Sequence, residues 1–261
     1  VSALEASPVL AALVGGSAAA AATAAGTLPA LFAKGIERRT QDTLLGFGAG
    51  VMLAATAFSL VLPGIDAALS QGAGAWGAGL LVGLSILAGA ALVMAMDRAV
   101  PHEHFIKGPE GANWPRLRRT WLFVFAIALH NLPEGLAIGV AYATDIGRGH
   151  ALATGIALQD IPEGLVVAVA LIAAGMARVP AVLVGVASGL VEPVGAVAGA
   201  AAVVALPLLL PIGLGVAAGA MLFVVSHEII PESHRQGHEK FATAGLMVGF
   251  VLMMLLDTAL G

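Results

Sequence analysis

Apolar runs of about 20 residues, broken by short polar punctuation, occupy almost the whole chain. A helix rises ~1.5 Å per residue, so a run of this length crosses the ~30 Å hydrocarbon core of a bilayer. Eight such runs stand out, at roughly 8–32, 43–63, 75–97, 120–143, 150–175, 179–204, 208–231 and 241–260. The pattern predicts an all-α polytopic membrane protein, with residues 1–261 forming a single transmembrane unit and one long hydrophilic loop at about 98–119. The fifth to seventh runs almost merge, so their borders are the least defined. The first is too long for a signal peptide and has no basic segment ahead of it. Small residues such as Gly15-Gly16-Ser17 and the Gly46, Gly48, Gly50 series predict closely packed helices.

Basic residues set the orientation. Eleven of the twelve Lys and Arg fall in alternate connections: Lys34, Arg38 and Arg39; Arg98, Lys107, Arg116, Arg118 and Arg119; Arg178; and Arg235 with Lys240. Only Arg148 lies on the other side. The positive-inside rule then places both termini outside the cytoplasm, which an even number of spans also requires.

Composition agrees with a bilayer environment. Hydrophobic residues make up 59% and charged residues 11%, with a mean hydropathy of +0.96. A soluble domain carries about 25% charge. Cysteine is absent, which excludes disulfides and thiolate metal sites. A net charge of −4 argues against a nucleic-acid partner.

Against this background, a few polar residues fall deep inside spans. The fourth contains His130-Asn131-Leu132-Pro133-Glu134-Gly135-Leu136, and the fifth contains Gln159-Asp160-Ile161-Pro162-Glu163-Gly164-Leu165. The sixth adds Glu192-Pro193. Residues three and four apart share a helix face, so His130, Asn131 and Glu134 form one polar triangle and Gln159, Asp160 and Glu163 another. Pro133 and Pro162 remove backbone donors and should bend their helices. Glu134, Asp160, Glu163 and Glu192 would place four negative charges near mid-membrane with no Lys or Arg in those spans. Each costs roughly 2.5 kcal/mol or more there. Either they are protonated, or cations neutralise them; two divalent ions would supply the matching charge. Imidazole, carboxylate and amide oxygen suit borderline metals such as zinc.

Other polar residues lie nearer the membrane faces. His227, Glu228 and Asp97 lie toward the cytoplasmic end, Asp66 and Asp257 toward the opposite one, as candidate pathway residues or as solvated helix ends. His227-Glu228-Ile229-Ile230-Pro231 approaches the HExxH of metalloproteases, but Pro231 occupies the second histidine position, which removes the protease reading.

The paired motifs His-Asn-x-Pro-Glu-Gly and Asp-x-Pro-Glu-Gly resemble those of the ZIP (Zrt-/Irt-like protein) family of divalent-metal transporters. The resemblance covers essentially the whole chain and is greatest to bacterial members with a two-metal site. It implies that Met52, His130, Glu134, Gln159, Glu163 and Glu192 hold one metal. Asn131, Glu134, Asp160, Glu163 and Glu192 would hold a second, with the glutamates bridging. Met52 enters only through this resemblance; spacing alone would place it in the core. The resemblance further implies zinc, and also cadmium, transported toward the cytoplasm, with two metal ions per chain. It implies an elevator-like movement of spans one, four, five and six against the rest. A homodimer in the bacterial inner membrane completes the implied picture. No covalent chemistry is expected. Only His102 and His104 occupy the loop, which gives it little basis for metal sensing. A cation/proton antiporter or a proton pathway lined by carboxylates would use the same acids without His130 as a ligand. A membrane metal sensor would need a hydrophilic output segment, which these residues do not contain.

Overall fold

The computed structural model describes residues 7–32, 37–99, 102–104, 108–110, 119–173, 176–235 and 237–260. Within these, the side chains of 97, 99, 102–104, 108–110, 119–130, 170 and 173 lie outside the description. Eleven α-helices run through the described residues: α1 (Pro8–Thr27), α2 (Arg38–Ala55), α3 (Leu62–Ser70), α4 (Ala75–Ala99), α5 (Arg119–Thr144), α6 (Ile146–Ala173), α7 (Arg178–Gly189), α8 (Val191–Ala205), α9 (Leu210–Val224), α10 (Ile230–Ser233) and α11 (Glu239–Leu260). Joined end to end where only a distorted turn intervenes, they give eight rods in the predicted order. Seven are long and apolar enough to cross a membrane by the described residues alone. The eighth rod is α5, 26 residues long. In the loop, His102–His104 and Gly108–Glu110 pair as two short antiparallel strands, with His102 opposite Glu110.

Local chemistry explains where the rods start and break. Ser7 caps α1 by accepting a hydrogen bond from the Leu10 N–H at 3.3 Å, and Pro8 occupies the first turn. The second rod, Arg38–Ser70, is 33 residues long, well beyond the expected 43–63. Hydropathy falls at its polar ends, but backbone hydrogen bonding continues through Arg38, Arg39, Asp42 and Asp66. Between α2 and α3 the chain forms a π-helical turn over Thr56–Val61, and between α9 and α10 another over Val225–Ile229. Each precedes a proline, Pro63 or Pro231, that cannot donate to the carbonyl four residues back. The hydroxyls of Thr56 and Ser226 donate to the carbonyls of Met52 and Leu222, at 2.7 and 2.6 Å, at these distortions. By contrast, α5 and α6 run unbroken through Pro133 and Pro162. The sixth rod breaks at Leu190, because Pro193 leaves the Gly189 carbonyl without its helical donor.

The rods pack in two groups. One holds α1, α5, α6 and α7–α8; the other holds α2–α3, α4, α9–α10 and α11. They meet where α6 lies on α2 and α11, and where α5 lies on α9. Within each group, glycine allows backbones to touch. A Cβ on Gly46 or Gly50 of α2 would fall on the carbonyl of Ala242 or Leu246 in α11. A Cβ on Gly245 or Gly249 would fall in return on that of Thr43 or Phe47. In lipid such contacts supply the packing energy that the hydrophobic effect supplies in water. Gly139 against Ala196 does the same for α5 and α8.

Candidate metal centre

The polar residues of α5, α6 and α8 converge inside the first group. Asn131, Glu134, Gln159, Asp160 and Glu192 are all 3% exposed or less. Burial this complete follows from helix register: Asn131 and Glu134 on α5, and Gln159 and Asp160 on α6, face neighbouring helices rather than lipid. Glu192 lies in the first turn of α8, where the break at Leu190 exposes helix N–H groups and favours negative charge.

Three donors hold the acids. The Gln159 Nε2 amide donates to Glu134 Oε1 at 2.6 Å and to Asp160 Oδ1 at 2.8 Å. The Asn131 Nδ2 amide donates to Glu192 Oε1 at 3.3 Å, and the Thr23 hydroxyl of α1 donates to the same oxygen at 2.9 Å. Glu163, half-buried, places a carboxylate oxygen within 4.8 Å of oxygens from Glu134 and Asp160.

Four buried atoms remain without a partner among the described residues: Glu134 Oε2, Gln159 Oε1, Asp160 Oδ2 and Glu192 Oε2. All four are acceptors, three of them carboxylate oxygens. Buried polar groups normally find partners, and an unneutralised buried carboxylate is strongly disfavoured. Among the described side chains, no Lys or Arg is hydrogen-bonded or ion-paired to these four atoms. Acceptors of this kind suit a hard or borderline cation bound by oxygen. A cavity of about 10 Å³ lies beside Asp160, lined also by Thr23, Asn131, Glu163 and Ser188.

The remaining predicted ligands lie nearby in sequence and fold. His130 precedes Asn131 in α5; its side chain lies outside the described residues. Met52 is fully buried in α2, one turn before the π-helical distortion. One turn before it, a Cβ on Gly48 would stand 3.0 Å from Gln159 Oε1, so this face of α2 looks onto the centre.

The candidate pathway residues are dispersed. Asp66 is exposed on α3, beside a cavity of about 600 Å³ also lined by Asp145 and Arg148. Asp257 accepts a hydrogen bond from Ser59 at 2.6 Å. His227 stacks on Phe223 with ring centroids 4.9 Å apart, and Glu228 is buried beside it in sequence. The Asp97 side chain lies outside the described residues.

Sequence reasoning missed Thr23, Ser188 and Gly48. Ser188 carries a faint signal, lying four residues before Glu192. Thr23 carries none within an Ala-rich span, where hydroxyls usually bond their own helix.

A family model described as ZIP zinc transporter matches residues 110–257. The chain is 55% identical over 251 residues to zinc transporter ZIPB of Bordetella bronchiseptica, covering 96% of this chain and 81% of that protein. It is 44% identical to zinc transporter GufA of Myxococcus xanthus, covering 95% of this chain and 98% of that one. Human zinc transporter ZIP11 is 33% identical, over 92% of this chain and 94% of its own length. With seven described rods able to span a bilayer, and bacterial relatives aligned along nearly the whole of this chain, it is an integral membrane protein and belongs to the ZIP family of divalent-metal transporters.

Proposed function

We propose that this chain carries Zn²⁺, and also Cd²⁺, toward the cytoplasm through a binuclear centre. The observation that supports this most is the set of four unpartnered acceptor atoms on Glu134, Gln159, Asp160 and Glu192. One metal is held by Met52, His130, Glu134, Gln159, Glu163 and Glu192. The other is held by Asn131, Glu134, Asp160, Glu163 and Glu192, so that three glutamates bridge. Two divalent ions balance the four carboxylates and remove the cost of burying them unpaired. The thioether and imidazole make the first position the softer one and the seat of the cargo; the all-oxygen position tunes it. The names of the relatives support zinc as the substrate.

The two helix groups suggest how release occurs. Every proposed ligand except Met52 belongs to the group of α1, α5, α6 and α7–α8. An elevator-like slide of that group carries the metals with it and leaves Met52 behind, loosening the cargo. Both termini lie outside the cytoplasm on the distribution of Lys and Arg, and the working unit is a homodimer.

Zinc flux into proteoliposomes tests the reading. Carboxylates titrate near pH 4 and imidazole near 6.5 in free peptides, and metal ligands must be deprotonated. Protons therefore compete with zinc as pH falls, and flux is expected to weaken progressively from about pH 7.5 to 5. Flux that is absent at neutral pH, or unchanged across this range, contradicts the proposal.

A further inference from the structure

The Thr23 side chain ties α1 to the acidic centre, and its placement is tightly determined. Its side chain is buried, and its hydroxyl lies 2.9 Å from Glu192 Oε1 and 3.2 Å from the Ala19 carbonyl. A hydroxyl has one proton, so it serves one acceptor at a time. The helix around it cannot drift. A Cβ on Gly164 of α6 would fall on the Thr23 carbonyl, and one on Gly189 of α7 would lie 3.1 Å from Thr23 Cβ. With the Asn131 amide at 3.3 Å, Glu192 Oε1 has both its lone pairs engaged, while Glu192 Oε2 has no partner.

We propose that Thr23 is a positioning residue that makes Glu192 present a single oxygen, Oε2, to the metal. The inference rests on the metal-centre reading above. A carboxylate with one oxygen held by donors binds cations through the other, so each ion receives one contact from Glu192 instead of two, which suits a small ion such as zinc. Released from Thr23, Oε1 becomes available, and Glu192 can turn or chelate through both oxygens. That geometry favours larger ions with more ligands. The hydroxyl thus sets selectivity without adding charge.

The test compares zinc and cadmium affinities by calorimetry on purified full-length protein, with thermal midpoints recorded without metal. Thr23→Val keeps the shape and removes the hydroxyl; Thr23→Ser keeps the hydroxyl and removes the methyl. Outer partners of metal ligands typically contribute about 10–100-fold to affinity. Thr23→Val is expected to lose zinc affinity in that range and cadmium affinity less, while Thr23→Ser stays within about threefold of the parent for both. Should Thr23→Val not fold, Thr23→Ala reads the same loss without added bulk. Unchanged zinc affinity in Thr23→Val, equal losses in Val and Ser variants, or equal losses for the two metals would each overturn the proposal. Glu192→Gln separates the two levels. If it loses zinc while Thr23→Val does not, only the role of Thr23 fails; if it too binds zinc normally, the metal-centre reading itself fails.

Discussion

Glu134→Ala is expected to reduce zinc uptake by more than about 100-fold, because on the proposed reading it removes a bridge from both metal positions. Glu134 is fully buried and its Oε1 is held by Gln159 at 2.6 Å, so no water-exposed substitute can take its place. Breaking a buried charge pairing typically costs about 3–5 kcal/mol, and each 1.4 kcal/mol is about a factor of ten. Its neighbours are expected to divide. His130→Ala removes a proposed ligand of the cargo and should be nearly as severe. Asp160→Ala removes charge around the auxiliary ion and should leave measurable uptake with altered metal preference. Uptake normalised to protein in the membrane checks all three. A dead Asp160→Ala beside a normal His130→Ala would reverse the assignment of the two positions.

Gly50→Val should be the most damaging change away from the centre. A side chain there would collide with the Leu246 carbonyl and stand 2.7 Å from the Phe250 nitrogen, both backbone atoms that cannot rotate away. Overpacking of this kind costs about 3 kcal/mol, and the variant is expected to unfold at a markedly lower temperature in detergent. Gly83→Val is the matching control, because nothing lies within 4 Å of its added Cβ. It should change stability by less than about 0.5 kcal/mol. Similar thermal midpoints for the two variants would contradict the close α2–α11 contact.

These two classes of residue differ in how far the sequence reveals them. Glu134 and Asp160 are conspicuous because charge in an apolar run has few innocent explanations, and their spacing puts them on predictable helix faces. That Gln159 bridges both acids with one amide depends on the angle between α5 and α6, which no local pattern encodes. Gly50 is visible as a small residue, but its partner Leu246 lies nearly two hundred residues away. Hydropathy places the second rod yet shortens it, because Asp42 and Asp66 are helical without being apolar. The distortions over Thr56–Val61 and Val225–Ile229 follow from Pro63 and Pro231, but a proline alone does not say whether a helix widens, breaks or continues. Pro133 lies inside an unbroken helix, while Pro193 accompanies a break three residues earlier, beside Gly189. Thr23 remained hidden because its partner Glu192 is 169 residues distant.

The claim that the converging acids hold two cations is tested most directly by counting them. Equilibrium dialysis of the purified, metal-stripped chain against zinc near neutral pH, followed by elemental analysis, gives ions per chain. The account predicts two in the parent protein and almost none in a Glu134→Ala, Glu163→Ala double variant that still folds. A parent that binds no zinc, or a folded double variant that keeps both ions, would contradict it.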